Sequence, residues 1–513
     1  MKYIYRIGLV LACASLILSC KKDYLDRLPT DTVAPETVFE SVENAKMAVN
    51  GLSRLMKRQY ISQGFNGEGT IKMYYGIYGG VNASIPMTGW SSVINLEYFA
   101  NPNSTYTYYP WYYYYIIIGN ANAIIDKIDA TPGDAKEKEF VKAQALTFRA
   151  YSYMMLAQLY GDRWSSSNNG ATNAVVLRIH EGLENMNLST LKETYDLIYS
   201  DLNTAIGLYE SSGKTRISTN NYEVNKDVAY AVFARAALNK EDFPNAEKYA
   251  ALARTSYPLM SNTEYRAGFS TVNKEWIWSV FDSDQETIFF YSYFSYIAYN
   301  STSSLVRTYP RSISKDLFNK IPVSDIRKDM FLDPVKTGLT FTATTGQGDK
   351  AALAYIRNIY KDIPSNSTAY AYMQFKFNAT GMPGVGQLNN FRSSEMLLIE
   401  AEAKYKQGKD ASTIQSLLNE LTKSTGRDPN YVCNKTGQDL FQEIKLYRAI
   451  ELWGEGFDFF DLKRWGDPIV RKSFTNGGNF QGALATTIQP TDRNNWKIVT
   501  PAKETDFNSE IKQ

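Results

Sequence analysis

Apolar positions keep helical spacing through most of this chain and lose it in two long stretches. From Ser41 to Tyr60, Ala45, Ala48, Val49, Leu52, Leu55 and Met56 mark one helix face. The same rhythm predicts helices over Trp111–Ile128, 135–160 and 191–208. Thr131-Pro132-Gly133 parts the first two of these, and Gly161-Asp162 ends the second with turn chemistry. Residues 227–258 hold two helical runs. Tyr230, Phe233, Ala234 and Ala237 fill the first, Ala246, Ala250 and Ala253 fill the second, and Pro258 closes it. Small residues alternating with large ones across a helix pair is the tetratricopeptide pattern. A looser copy spans 393–425, with Glu395–Gln407, a break at Gly408, then Ile414–Leu421. The 135–160 helix reads as the first half of another unit, with an insertion before 191–208. One such unit cannot bury its own apolar face, so several must stack. Phe441–Trp453 is the last clear amphipathic helix.

The rhythm fails over Gly64–Pro110, which is rich in Gly, Asn, Tyr and Ser and reads as long aromatic-bearing loops. Loops of that length inside a compact protein are commonly functional. It fails again over 265–390. There Trp276–Val280 reads as a short strand, and Ile288–Asn300 (IFFYSYFSYIAYN) is aromatic. Thr337–Gly348 reads as loop or hairpin. The expected fold class is mainly α: tetratricopeptide-like helical repeats supporting a loop-rich, irregular half with a few short strands. The expected divisions are a leader at 1–19, a tether at 20–40, a helical region at 41–264, a loop-rich aromatic region at 265–390 and a C-terminal region at 391–513.

Composition adds one anomaly. Of 513 residues 38 are Tyr, against 25 Phe and 8 Trp. Tyrosine joins a flat apolar face to a polar tip, which suits half-wet surfaces and binding sites. The first twenty residues, MKYIYRIGLVLACASLILSC, place Lys2 and Arg6 before an apolar run from Ile7 to Leu18, with Ser19 before Cys20. That is the order of a secretory signal. The run is too short for a membrane span. Ile17-Leu18-Ser19-Cys20 resembles a bacterial lipobox, which implies cleavage before Cys20 and lipidation of its thiol; the plainer alternative is a signal peptide with an incidental cysteine. Removing residues 1–19 takes Lys2 and Arg6 and no acid, leaving 53 basic and 53 acidic side chains. Nucleic-acid binding leaves a basic footprint, and a near-neutral chain has none. The mature chain retains Cys433 beyond the lipidated residue, so its stability rests on packing, without an internal disulfide.

Several chemistries are excluded outright. His180 is the sole histidine, which rules out paired-histidine zinc sites. A GxSxG elbow, a phosphate loop and a GxGxxG turn are all missing. Nothing calls for a cofactor or a metal. Paired carboxylates are the enzyme option that stays open, since a glycosidase needs only two. Glu451, Glu455, Asp458 and Asp461 supply them, and Arg448, Lys463 and Arg464 in the same stretch offer structural ion pairing as the alternative.

Five segments in order resemble one family. They are WYYYYIIIGNANAIIDKI (111–128), AQALTFRAYSYMMLAQLYGDRW (143–164), Thr194–Ile206, NFRSSEMLLIEAEAKYKQG (390–408) and RAIELWGEGFDFFDLKRWG (448–466). With the lipobox, and more weakly Pro501 and Asn508, they are similar to the SusD/RagB outer-membrane nutrient-binding lipoproteins. One departure is Leu446-Tyr447, where the family commonly carries Arg just before Arg448. The resemblance implies a non-catalytic, surface-exposed lipoprotein of the outer membrane, held there by its N-terminal lipid alone. It implies capture of a glycan, in some members a peptide, for a partner transporter of the SusC type that is TonB-dependent. A helical adaptor that binds only proteins is a weaker reading.

A sugar ring has an apolar C–H face and a polar rim, so Tyr or Trp stacks on it while amide and guanidinium groups bond its hydroxyls. Two regions juxtapose these types. The first spans Tyr74–Trp90, where Tyr75, Asn82 and Trp90 are the candidate ligand residues. The second spans Tyr291–Tyr299, where Tyr291, Tyr293 and Tyr296 recur as on a strand face, with Asn300 and Arg307 behind. Packed loop anchors are the alternative for each.

Overall fold

The computed structural model describes residues 35–182, 184–280 and 291–511. The leader, Cys20 and most of the expected tether lie outside them. The principal helices are α1 (Val42–Leu55), α2 (Thr105–Lys127), α3 (Ala135–Tyr160), α4 (Leu191–Ser212), α5 (Lys226–Asn239), α6 (Phe243–Arg254), α7 (Lys350–Ile359), α8 (Ser393–Lys406), α9 (Ala411–Asn419), α10 (Gly437–Glu451) and α11 (Asp458–Trp465). Short antiparallel pairs join β1 (Ala83–Ser84) to β5 (Ser312–Ile313), β2 (Asn173–Val175) to β3 (Ser189–Thr190), β4 (Trp276–Val280) to β6 (Leu388–Arg392), and β7 (Ile469–Val470) to β8 (Thr487–Ile488). The mainly helical class read from the sequence is the class observed.

Local chemistry sets the helix ends. Ser41, Asp134 and Asn225 cap α1, α3 and α5 by accepting backbone N–H bonds, and Thr190 with Glu193 forms a capping box on α4. The helices then stack in series: α2 on α3, α3 on α4, α4 on α5, α5 on α6 and α6 on α8. Alanines 246, 250 and 253 of α6 are buried and admit close approach, with Phe233 stacked on Tyr249 at 3.9 Å. The tetratricopeptide pair at 227–258 is therefore present, and its stack continues into a helix far along the chain. Helix α3 is buried on nearly all sides of its C-terminal two-thirds.

Three expectations need correction. Residues 64–110 are a string of short helical turns, including a π-helix at Ile71–Ile77, in place of open loop. Tyr293 and Tyr296 lie on a short helix, Tyr293–Ile297, where alternation suggested a strand. The 265–390 region also holds α7, whose apolar face covers a satellite core around Met373 and Phe375.

The irregular half is fastened to the repeats by a buried charge network. Glu451, at the end of α10, faces Arg327 Nη1 and Arg392 Nη1 at 2.9 Å each and Arg427 Nε at 3.1 Å. Arg392 also meets Glu275 at 2.7 Å and Glu455 at 2.8 Å; Lys376 meets Glu455 at 2.7 Å, and Asp325 pairs with Arg327. Four cations thus balance four carboxylates out of water. Tyr447 lies under the Arg327 guanidinium at 5.2 Å. Burial opposes charge on Glu451, but Arg427, Arg392, Arg327 and Lys376 overcome it and hold the carboxyl far below the ordinary range.

Two outcomes follow for stability. Glu451→Gln leaves the network one counter-charge short, at the point three arginines share, and costs about 3–5 kcal/mol in denaturant unfolding. Because the folded carboxyl titrates below the unfolded one, its contribution is complete above about pH 4.5 and is lost as pH falls toward the folded value, so the variant's unfolding is flatter there with acid. Gly76→Ala costs about 1–3 kcal/mol by the same measurement, since a Cβ would stand 2.1 Å from the Gly456 carbonyl oxygen. An unfolding midpoint equal to wild type in either variant would contradict this packing.

Candidate functional site

The site is built on the π-helix at 71–77. Its wider turn carries Tyr74 and, at its end, Tyr78, with ring centres 5.7 Å apart. Trp90, on the turn Thr88–Trp90, stands edge-on against three tyrosines: Tyr74 at 5.2 Å, Tyr78 at 5.9 Å and Tyr296 at 5.9 Å. The Tyr74 and Tyr296 hydroxyls share a 2.6 Å hydrogen bond. Tyr291 adds a ring 6.2 Å from Tyr296, and Tyr106 one 5.6 Å from Tyr74. Trp90, Tyr291 and Tyr106 are half-buried, while Tyr74, Tyr78 and Tyr296 are buried behind them. The result is an aromatic platform whose outer rings are fixed by inner ones before any ligand arrives. Such pre-organisation lowers the entropy lost on binding. Burial lifts the hydroxyl pKa of Tyr74, Tyr78 and Tyr296, keeping them neutral.

Of the residues picked from sequence, the structure brings Trp90, Tyr291 and Tyr296 together although some 200 positions separate them. Three of the picks require correction as ligand contacts. Tyr296 is buried, its hydroxyl is shared with Tyr74, and it braces Trp90 from behind. Tyr75 is fully buried with its hydroxyl donating to the Tyr106 carbonyl, and Tyr293 is buried against Phe294 and Phe377 with its hydroxyl on the Gly454 carbonyl. Each is a core ring with a satisfied tip, so neither offers a face to a ligand. Asn82 lies elsewhere: its side chain donates to Asp458 Oδ1 at 2.8 Å, and its carbonyl accepts from Trp453 Nε1. Arg307 sits half-buried on the helix Ser304–Thr308, and it is Arg311, four residues on, that reaches the rings, its Nη2 donating to the Tyr78 hydroxyl at 2.7 Å. Tyr74, Tyr78, Tyr106 and Arg311 were not singled out from the sequence. The i, i+4 spacing of Tyr74 and Tyr78 was the available signal; Arg311 has none.

A second recess, a cavity of about 460 Å³, lies under the 448–466 segment and is walled by Asn82, Lys315, Trp453, Asp458, Asp461 and Trp465 among others. It contains part of the carboxylate set considered for glycoside cleavage. Glu451 is locked among arginines, as above. Asp458 accepts from the Val81 and Asn82 backbone N–H groups at 2.8 and 2.7 Å as well as from Asn82 Nδ2. Burial lifts its carboxyl to about 7 against the pull of those donors. Asp461 is shared by Arg448 and Arg464. A general-acid and nucleophile pair needs both carboxylates free toward one substrate, and Glu451 with Asp458 does not meet that condition. Among the described residues no cluster of three or more His, Cys, Asp or Glu could hold a metal ion, and no helix is long and apolar enough to cross a membrane.

Comparison with known proteins agrees with this architecture. A family profile described as starch-binding, associating with outer membrane, matches residues 23–238, and the SusD family profile matches residues 254–511. Among solved structures, a SusD-like carbohydrate binding protein from Bacteroides vulgatus superposes with a TM-score of 0.75 at 20% identity, covering 92% of this chain and 98% of that one. A SusD superfamily protein from Bacteroides thetaiotaomicron gives 0.72 at 23% identity, covering 92% and 99%. One from Bacteroides fragilis gives 0.68 at 19% identity, covering 93% and 100%. No curated protein sequence matches significantly. These likenesses establish a shared fold, and the second profile alone spans half of the sequence. The chain belongs to the SusD/RagB family.

Proposed function

We propose that this protein is a cell-surface lipoprotein of the outer membrane that captures oligo- or polysaccharide and delivers it to a SusC-type TonB-dependent transporter, without itself catalysing a reaction. The observation that carries the reading is the half-exposed Trp90 braced by Tyr74, Tyr78 and Tyr296, with Tyr291 beside it. A rigid aromatic face of this kind receives the C–H face of a pyranose, and family membership supports a carbohydrate as its ligand. Cys20 then holds the protein at the membrane by its lipid, and residues 21–40 serve as a leash that lets it sit over its partner as a lid. A large, shape-matched surface is needed for such a partner, and the face of the helical repeats is the candidate.

Titration calorimetry of the mature protein against a glycan panel, with a peptide panel in parallel, tests the ligand. Trp90→Ala combined with Tyr291→Ala lowers glycan affinity at least about tenfold, or about 1.4 kcal/mol. Unchanged affinity would remove the platform from the role, and binding confined to peptides would replace the ligand class. Release of reducing ends that disappears in Glu451→Gln or Asp458→Asn would replace the binding reading with a glycosidase. For the tether, Cys20→Ala keeps ligand affinity in solution but abolishes uptake by whole cells; normal uptake would show the lipid to be dispensable.

A further inference from the structure

Among the described residues nine arginines are buried. Six have a carboxylate within 4 Å, as Arg149 has Asp201 and Arg235 has Glu395. Arg216 and Arg471 lack one, but each donates to three backbone carbonyls. Arg311 has neither arrangement. It is 1% exposed. Nη1 donates to the Tyr309 carbonyl and lies 3.7 Å from Met87 Sδ, Nη2 donates to the Tyr78 hydroxyl, and the buried Nε–H has no acceptor. A buried cation without a counter-charge is costly and is uncommon unless something else supplies the charge.

Its position says where that charge comes from. The guanidinium carbon is 5.5 Å from the centre of the Tyr78 ring, and Tyr78 touches Trp90. The cation therefore lies one aromatic layer behind the platform, in a medium of low polarisability that screens it weakly toward the rings. Arg307, on the same segment, has no carboxylate within 4 Å among the described residues.

We infer that the ligand of the Trp90 platform is an acidic glycan, whose carboxylate or sulfate group lies at the Trp90–Tyr78 edge and supplies the counter-charge that Arg311 lacks among the described residues. The inference rests on the glycan-binding reading above and names the class of sugar within it. Neutral rings still stack on Trp90; the anionic substituent selects among them.

The test uses matched pairs: an oligogalacturonide and its carboxyl-reduced form, and a sulfated galactan oligosaccharide and its desulfated form. Each is titrated into the mature protein at low and high salt. The acidic member of at least one pair binds about tenfold tighter or more at low salt, and the advantage shrinks as salt rises. Which pair shows it separates carboxylate from sulfate. Arg311→Met brings the acidic-to-neutral ratio to near one, and Arg311→Lys retains part of it. If the Met variant does not fold, the wild-type ratio and its salt dependence decide. Equal affinities within both pairs, or a preference that survives Arg311→Met, overturn the inference. Should neutral glycan then bind in a manner lost with Trp90→Ala, the glycan reading stands while this one falls. Absence of binding by all four sugars overturns this inference and leaves the glycan reading to the panel above.

Discussion

Glu451 and the three arginines around it are the constraint on which the rest of this structure depends. Their partners come from the end of β6, the 325–327 turn, the 427 turn and the start of β4, segments with little regular structure of their own. Buried ion pairs add little net stability over an apolar core of equal volume. They do punish any other arrangement, because a charge left alone in the interior is far costlier than a misplaced methyl group. An irregular half with only two-residue to five-residue strands has few other means of choosing one conformation, and this network supplies the choice.

The platform inherits its position from the same place. Glu455, bound by Arg392 and Lys376, also offers its backbone carbonyl to Lys72 on the π-helix. Gly76 lies directly against Gly456, and the Gly454 carbonyl accepts from the Tyr293 hydroxyl. The 453–456 turn therefore sits between the charge network on one side and both aromatic segments on the other. Trp90 and Tyr296 meet because their supporting helices are each fixed to that turn.

How much of this could be read in the sequence depends on whether the signal was local. The 135–160 helix, the 226–254 pair and the strand at 276–280 are carried by periodicity and caps a few residues away, and they stand where periodicity placed them. Aromatic density located the two halves of the platform at 74–90 and 291–299. It could not separate half-buried Tyr291 from buried Tyr293 and Tyr296, since the fold places the first just before a five-residue helix and the other two on its packed turn. Asn82 carried a ligand-like side chain that the fold spends on Asp458. The 448–466 charges show the limit most plainly. Asp461 does pair with the neighbouring Arg448 and Arg464, as proximity suggests, while Glu451 and Glu455 take partners from positions 327, 376, 392 and 427 that no local pattern names.

The seam between α6 and α8 has a bearing on how the chain comes to be folded. It is laced by Arg254 with Glu400 and by Lys404 with Glu247, yet the two helices are separated by the entire stretch from 255 to 392. A chain that emerges from its N-terminus first presents the α5–α6 pair, whose side toward α8 has no cover until the irregular region has followed. Contacts that span so much sequence close slowly, and uncovered apolar faces invite association in the meantime. Folding of this chain thus carries a waiting period set by its own topology, during which an escort that shields helical surfaces would be of most use.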